Sequence, residues 1–79
     1  MNLSYYSAGT LYIEVANVVE NNATVSVIDL SGRLVAEFPV RRTEQTFRAE
    51  HALELPKGIY LVNVASKTKS YGSKKISVQ

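Results

Sequence analysis

The sequence predicts an all-β domain, a small antiparallel β-sandwich of six to seven strands. Apolar residues recur with a period of two along most of the chain, as expected for strands that are buried on one face. Turn signals follow one another roughly every 8–12 residues, and no window of helical period is long enough to indicate a helix with any strength. Short alternating strands at this spacing are typical of β-sandwiches and barrels.

The first half of the chain predicts a hairpin. Residues 11–16 alternate in the first predicted strand, which we expect to end near Val18 or Val19, and residues 23–30 form the second strand. Ser31-Gly32 separates the second strand from the return strand over residues 33–40. Gly32 adopts a positive φ without steric cost, so a tight turn is expected there.

Two residues near this hairpin have predicted structural roles. Asp29 lies two residues before the turn, where a carboxylate can accept backbone N–H groups, so we expect it to cap the turn. Pro39 has no N–H to donate to a neighbouring strand. The return strand is therefore expected to lie at a sheet edge or to break at Pro39.

The second half of the chain predicts three further strands. Residues 46–49 alternate weakly, and a short helix over residues 43–53 is the alternative because several residues there tolerate helix. Residues 59–65 are apolar at both parities, which predicts a central strand covered on both faces. Residues 73–79 form the last predicted strand, with alternate apolar side chains directed inward.

Composition predicts a single domain over residues 1–79 with no catalytic activity and no cofactor. A chain of 79 residues and 8.7 kDa supports one small core. Without cysteine there is no thiolate nucleophile, disulfide or Cys-ligated zinc site. The one histidine, His51, is expected to be exposed. The carboxylates are spread evenly, and nothing in their spacing brings a general acid–base pair together.

The net charge does not indicate a nucleic-acid partner, and the hydropathy does not indicate a membrane-spanning segment. The net charge is +2 although the pI is near 9.0. Lysines that protect exposed strand edges from unwanted pairing explain the basic residues at least as well, so no nucleic-acid partner is predicted. No apolar run approaches the ~20 residues that span a bilayer.

Three segments together resemble a known family. They are residues 25–35 (VSVIDLSGRLV), residues 53–64 (LELPKGIYLVNV) and residues 74–78 (KKISV). In this order and spacing they resemble the C-terminal sorting domain of the type IX secretion system of the Bacteroidota. The resemblance spans residues 11–79. Members typically show a D-x-x-G-r hairpin, an L-p-x-G-x-Y strand start and a final K-k strand.

The resemblance implies a seven-stranded immunoglobulin-like sandwich that is a non-catalytic signal. We expect this domain to have been excised from a larger exported protein. It would direct its cargo from the periplasm across the outer membrane, to the cell surface or beyond. The implied partners are the type IX secretion machinery, a sortase-like surface peptidase that often cleaves the domain, and the N-terminal cargo domain of the same precursor.

The resemblance also implies which residues are recognised. They lie in the three segments and are Gly32, Arg33, Gly58, Tyr60, Lys74, Lys75, Ile76 and Val78. The final strand is predicted to offer an unpaired edge, where a partner strand can add or a homodimer can form. The sequence departs from the family at residues 7–10, where SAGT stands in place of an Asn-Pro element.

Two other functions remain open from the sequence. A carbohydrate- or surface-binding module appended to an enzyme would need a row of exposed aromatic residues, for which Tyr5, Tyr6 and Tyr71 are the candidates. A structural immunoglobulin-like spacer is the other alternative, because a fold does not settle a function.

Overall fold

The computed structural model describes residues 3–79, which form seven antiparallel strands and no helix. The spatial order is β1-β2-β5-β4-β3-β6-β7. The strands are β1 (Leu3–Ser7), β2 (Thr10–Ala16), β3 (Asn22–Asp29), β4 (Leu34–Thr43), β5 (Thr46–Ala52), β6 (Gly58–Ala65) and β7 (Ser70–Val78). The prediction of an all-β antiparallel sandwich with six to seven strands is confirmed.

Strand β4 joins the two halves of the sandwich. It pairs with β3 from Leu34 to Arg41, and then with β5 at Arg42 and Thr43. The sheet folds over along β4, and β1 and β7 come close to each other, so the structure is nearly closed. Pro39 lies where β4 pairs with β3 alone, so its missing N–H breaks no ladder. The expectation that Pro39 occupies an edge position is confirmed locally, although β4 is an interior strand in the sheet order.

Both halves contribute their inward faces to one core. Val25, Val27, Val62 and Val64 are fully buried, and the β-branched side chains suit a pleated surface. From the other half Phe47 is fully buried, and its ring meets that of Tyr71 edge to face at 5.3 Å between centroids. Burial of this alternating set is the main source of stability.

Two strand predictions need correction. The prediction that the first strand begins at residue 11 is wrong, because β1 precedes it and pairs with β2 through a turn in which Ala8 and Gly9 both have positive φ. Residues 43–53 are not helical, since β5 runs from Thr46 to Ala52, longer than the four residues predicted. Pairing with β2 along the whole of β5 outweighs the weak helical propensity of that segment.

The expectation that β6 is covered on both faces is wrong. The strand is central in its sheet, with β3 on one side and β7 on the other. Its inward face is buried, but Ile59 and Leu61 on the other face are 42% and 39% exposed. The apolar residues on the second face of β6 therefore form an exposed apolar surface. Within residues 3–79, no helix has the length and apolar character needed to cross a membrane.

Candidate recognition site

The β3–β4 turn is closed by backbone hydrogen bonds around Gly32. The N–H of Gly32 donates to the carbonyl of Asp29 at 3.0 Å, and the N–H of Asp29 donates to the carbonyl of Arg33 at 2.9 Å. Gly32 has a φ of +88°, a conformation that L-residues with a side chain rarely adopt. The predicted tight hairpin is confirmed, and Gly32 is required by its geometry.

The carboxylate of Asp29 holds this turn from inside. Its Oδ1 accepts hydrogen bonds from the N–H of Ser31 at 3.0 Å, the hydroxyl of Ser31 at 2.6 Å and the N–H of Arg33 at 3.0 Å. The hydroxyl of Ser31, followed by the N–H of Arg33, lowers the pKa of Asp29 because both bonds favour the charged form. The capping role predicted for Asp29 is confirmed, and it makes Asp29 part of the hairpin motif.

The start of β6 is organised around Tyr60. This side chain is 94% removed from solvent, and its hydroxyl donates to the carbonyl of Pro56 at 2.5 Å. Gly58 lies between them with a φ of +156°, and a Cβ placed on it would approach the Tyr60 ring at 3.8 Å. Tyr60 is therefore a core residue whose hydroxyl is hydrogen-bonded. Proline, glycine and tyrosine together fix how the chain enters the central strand.

Strand register brings the three motif segments to one end of the sandwich. Asp29, the last residue of β3, pairs with Tyr60 on β6, and Tyr60 pairs in turn with Ile76 on β7. Gly58 pairs with Val78 two positions further along the same two strands. The turn that carries Arg33 follows directly from this row. Residues far apart in the sequence thus form one continuous site at the end of β3, β6 and β7.

Strand β7 separates its motif residues into buried and exposed ones. Ile76 and Val78 are buried in the core, while Lys74 and Lys75 are exposed. Alternation places Lys75 on the outer face and Lys74 on the inward-facing side. The long side chain of Lys74 still reaches solvent, because β7 is the last strand of the sheet.

Of the eight predicted recognition residues, Gly32 and Gly58 shape the backbone of the hairpin and of the start of β6, and the other six fall into a buried and an exposed group. Tyr60, Ile76 and Val78 are buried, so their side chains are not accessible from the surface of the folded domain. The side chain of Arg33 is 77% exposed, although its Nε donates to Oδ2 of Asp29 at 3.2 Å. Arg33, Lys74 and Lys75 are the side chains that a partner can reach directly.

A second polar cluster, which no sequence motif indicates, connects the β2–β3 loop with the β6–β7 loop and the start of β7. The carboxylate of Glu20 accepts hydrogen bonds from the hydroxyls of Ser66 at 2.6 Å, Tyr71 at 2.7 Å and Thr68 at 2.9 Å. These bonds, that of Ser66 most strongly, lower the pKa of Glu20, and the same contact raises the pKa of Tyr71. No local sequence signal connects Glu20 with residues more than forty positions later.

The candidate aromatic residues do not form a row. The hydroxyl of Tyr6 donates to the carbonyl of Leu53 at 2.6 Å, and Tyr71 belongs to the Glu20 cluster. Tyr5 stacks on Tyr12 with 4.6 Å between ring centroids, which leaves an isolated aromatic pair on the outer face of β1 and β2. A glycan-binding platform of several successive rings is thus not present among the described residues.

The expectation that His51 is exposed needs correction. This residue is half-buried, and its ring lies parallel to that of Phe38 with 3.8 Å between centroids. This packing gives the histidine a structural role. Residues 3–79 contain no group of three or more histidine, aspartate or glutamate side chains that could hold a metal ion.

Comparison with known proteins identifies one family. The family described as "secretion system C-terminal sorting domain" matches residues 7–79, from the last residue of β1 to the end of the sequence. No curated protein and no solved structure matches the chain significantly.

Proposed function

We propose that this chain is a folded sorting signal that is recognised at one end of its sandwich. The premise is that the chain belongs to the family of secretion system C-terminal sorting domains. The family membership supports a sorting role in type IX secretion and an exported protein. The family is non-catalytic, and we propose the same for this chain.

The convergence of the three motif segments is the observation that carries the proposal. Buried Tyr60 and Ile76 hold the end of the sheet rigid, and the exposed Arg33 and Lys75 project from it. A signal that is recognised in the folded state needs such a rigid surface, because little conformational entropy is then lost on binding. The positive charges of Lys74 and Lys75, which take part in neither ion pair found among residues 3–79, favour an acidic partner surface.

The edge of β7 offers a second means of recognition. This strand is hydrogen-bonded to β6 on one side and approaches β1 on the other, so the part of its outer edge that β1 does not approach is open for pairing. We propose that a strand of the secretion machinery adds there by β-augmentation. Pairing of two copies through the same edge would give a homodimer, which sedimentation of the purified domain over a concentration series detects.

The later steps of the route are also part of the proposal. The domain accompanies its N-terminal cargo through the periplasm and across the outer membrane. A sortase-like surface peptidase then removes it and attaches the cargo to the cell surface. Mass spectrometry of the surface-exposed cargo tests this step, since retained peptides from residues 11–79 would contradict cleavage.

The decisive experiment uses the full-length cargo protein. Deletion of residues 74–79 is expected to leave the cargo in the periplasm, but this change also removes Ile76 and Val78 from the core. The double variant Lys74→Gln and Lys75→Gln keeps the core intact and is expected to reduce surface delivery at least tenfold. The matched control is Arg41→Gln with Lys67→Gln, two exposed cations away from the site. Normal delivery of the deletion variant would contradict the sorting role itself.

A further inference from the structure

A row of residues crosses the outer face of four strands. Leu34 on β4 pairs with Ile28 on β3, Ile28 pairs with Leu61 on β6, and Leu61 pairs with Lys75 on β7. Directly paired residues project from the same face of a sheet, so these four side chains are neighbours. Ile59 lies two positions before Leu61 and faces the same way.

The apolar members of this row are open to solvent. Leu34 is 51% exposed, Ile59 42% and Leu61 39%, and Ile28 is half-buried between its neighbours. We call Ile28, Leu34, Ile59 and Leu61 the outer patch. Outer faces of antiparallel sandwiches are normally polar, and contiguous exposed apolar residues with a polar rim are typical of interaction surfaces.

Polar residues border the patch. The adjacent row on the same face is Ser73, Asn63, Ser26 and Glu37. Glu37 is 3.5 Å from the hydroxyl of Ser26 and lies at the β4 end of its row. The β3–β4 turn, in which the charge of Arg33 is balanced by Asp29, lies at the other border. Neither ion pair found among residues 3–79 involves Lys75.

We infer that the outer patch is a docking surface for a protein of the secretion machinery, and that the site on that protein is apolar in its centre with an acidic group opposite Lys75. This inference rests on the proposed function. Apolar contact with Leu61 and Ile28 would supply most of the affinity. The charge of Lys75 would set the orientation of the partner protein and its association rate. The patch adjoins the exposed β7 edge, so one partner could use both.

The test substitutes the patch without disturbing the core. The test variant combines Ile28→Thr with Leu61→Thr. Threonine is β-branched and therefore suits a strand at both positions, and the two substitutions remove only outward-facing apolar groups. The matched control is Val19→Thr, since Val19 is 74% exposed but lies in the β2–β3 loop, away from the patch. Each full-length cargo variant is assayed for surface delivery, and each purified domain for its thermal midpoint and sedimentation coefficient.

The outcomes separate the docking surface from the sorting role. A tenfold or greater loss of surface delivery in the patch variant, with a thermal midpoint within a few degrees of the parent and normal delivery of Val19→Thr, supports the inference. Normal delivery of the patch variant, while deletion of residues 74–79 blocks export, overturns the docking surface and leaves the sorting role standing. A wild-type dimer that the patch substitutions dissociate would assign the face to a second copy and also overturn it.

Discussion

Arg33 is bonded to Asp29 twice across the β3–β4 turn. Its backbone N–H donates to Oδ1 at 3.0 Å, and its Nε donates to Oδ2 at 3.2 Å. One carboxylate thus closes the turn and orients the side chain that projects from it. The closure of the hairpin and the orientation of its exposed arginine therefore depend on the same residue.

The first prediction concerns this carboxylate. Asp29→Ala is expected to lower the thermal midpoint, because the N–H groups of Ser31 and Arg33 lose their acceptor. Circular dichroism measures the midpoint, and Glu54→Ala, at an exposed glutamate, is the control. Surface delivery of the Asp29→Ala cargo should also fall, since Arg33 is no longer held in place. An unchanged midpoint would show that the turn closes without the carboxylate.

The second prediction concerns the pH dependence of the Glu20 cluster. Hydrogen bonds from Ser66, Tyr71 and Thr68 lower the folded-state pKa of Glu20. A carboxyl with a lowered pKa stabilises the fold above its unfolded pKa of about 4, and this contribution disappears as the pH falls through the folded value. Glu20→Gln should therefore lower the midpoint at pH 7 and have a progressively smaller effect below about pH 4.

Thermal unfolding of both proteins between pH 7 and pH 2.5 tests this linkage. Other carboxylates titrate in the same range, Asp29 among them because its pKa is also lowered. The informative quantity is therefore the difference between the midpoints of wild type and variant at each pH. A difference that stays constant down to pH 2.5 would contradict the assignment of that contribution to Glu20.

The alternation of apolar residues predicts most of the fold, because it reports burial on one face of a strand. It cannot distinguish an exposed apolar face from a covered one, and for this reason Leu61 was expected to be buried. It also missed β1, whose position depends on pairing with β2 across a two-residue turn at Ala8 and Gly9.

The candidate site was only partly predictable for a related reason. The motif residues Gly32 and Tyr60 have local signals, namely a turn glycine and an aromatic residue two positions after the glycine of Pro-Lys-Gly. Their convergence depends on strand order, which places β6 between β3 and β7. The contact between Glu20 and Tyr71 depends on the same long-range pairing, so no local pattern contains it.

The third prediction concerns the backbone of Gly32. A Cβ at this position would meet no atom within 4 Å, so a substitution acts through backbone conformation alone. Gly32→Ala is expected to reduce the free energy of unfolding by about 1–2 kcal/mol, the cost of a left-handed conformation for an L-residue. Gly32→Asn should cost less, because asparagine tolerates positive φ better. Urea denaturation measures both, and equal losses would contradict the conformational explanation.

The fourth prediction concerns the hydroxyl of Tyr60. Tyr60→Phe keeps the buried ring but leaves the carbonyl of Pro56 without its donor at 2.5 Å. We expect the free energy of unfolding to fall by about 1 kcal/mol, a typical net contribution of one hydrogen bond. Tyr12→Phe is the matched control, since Tyr12 stacks with Tyr5 on the outer face and should lose little. Because Tyr60 is a buried residue, surface delivery of the cargo should stay near normal in Tyr60→Phe. A delivery defect without a loss of stability would instead mean that the secretion machinery contacts Tyr60 directly.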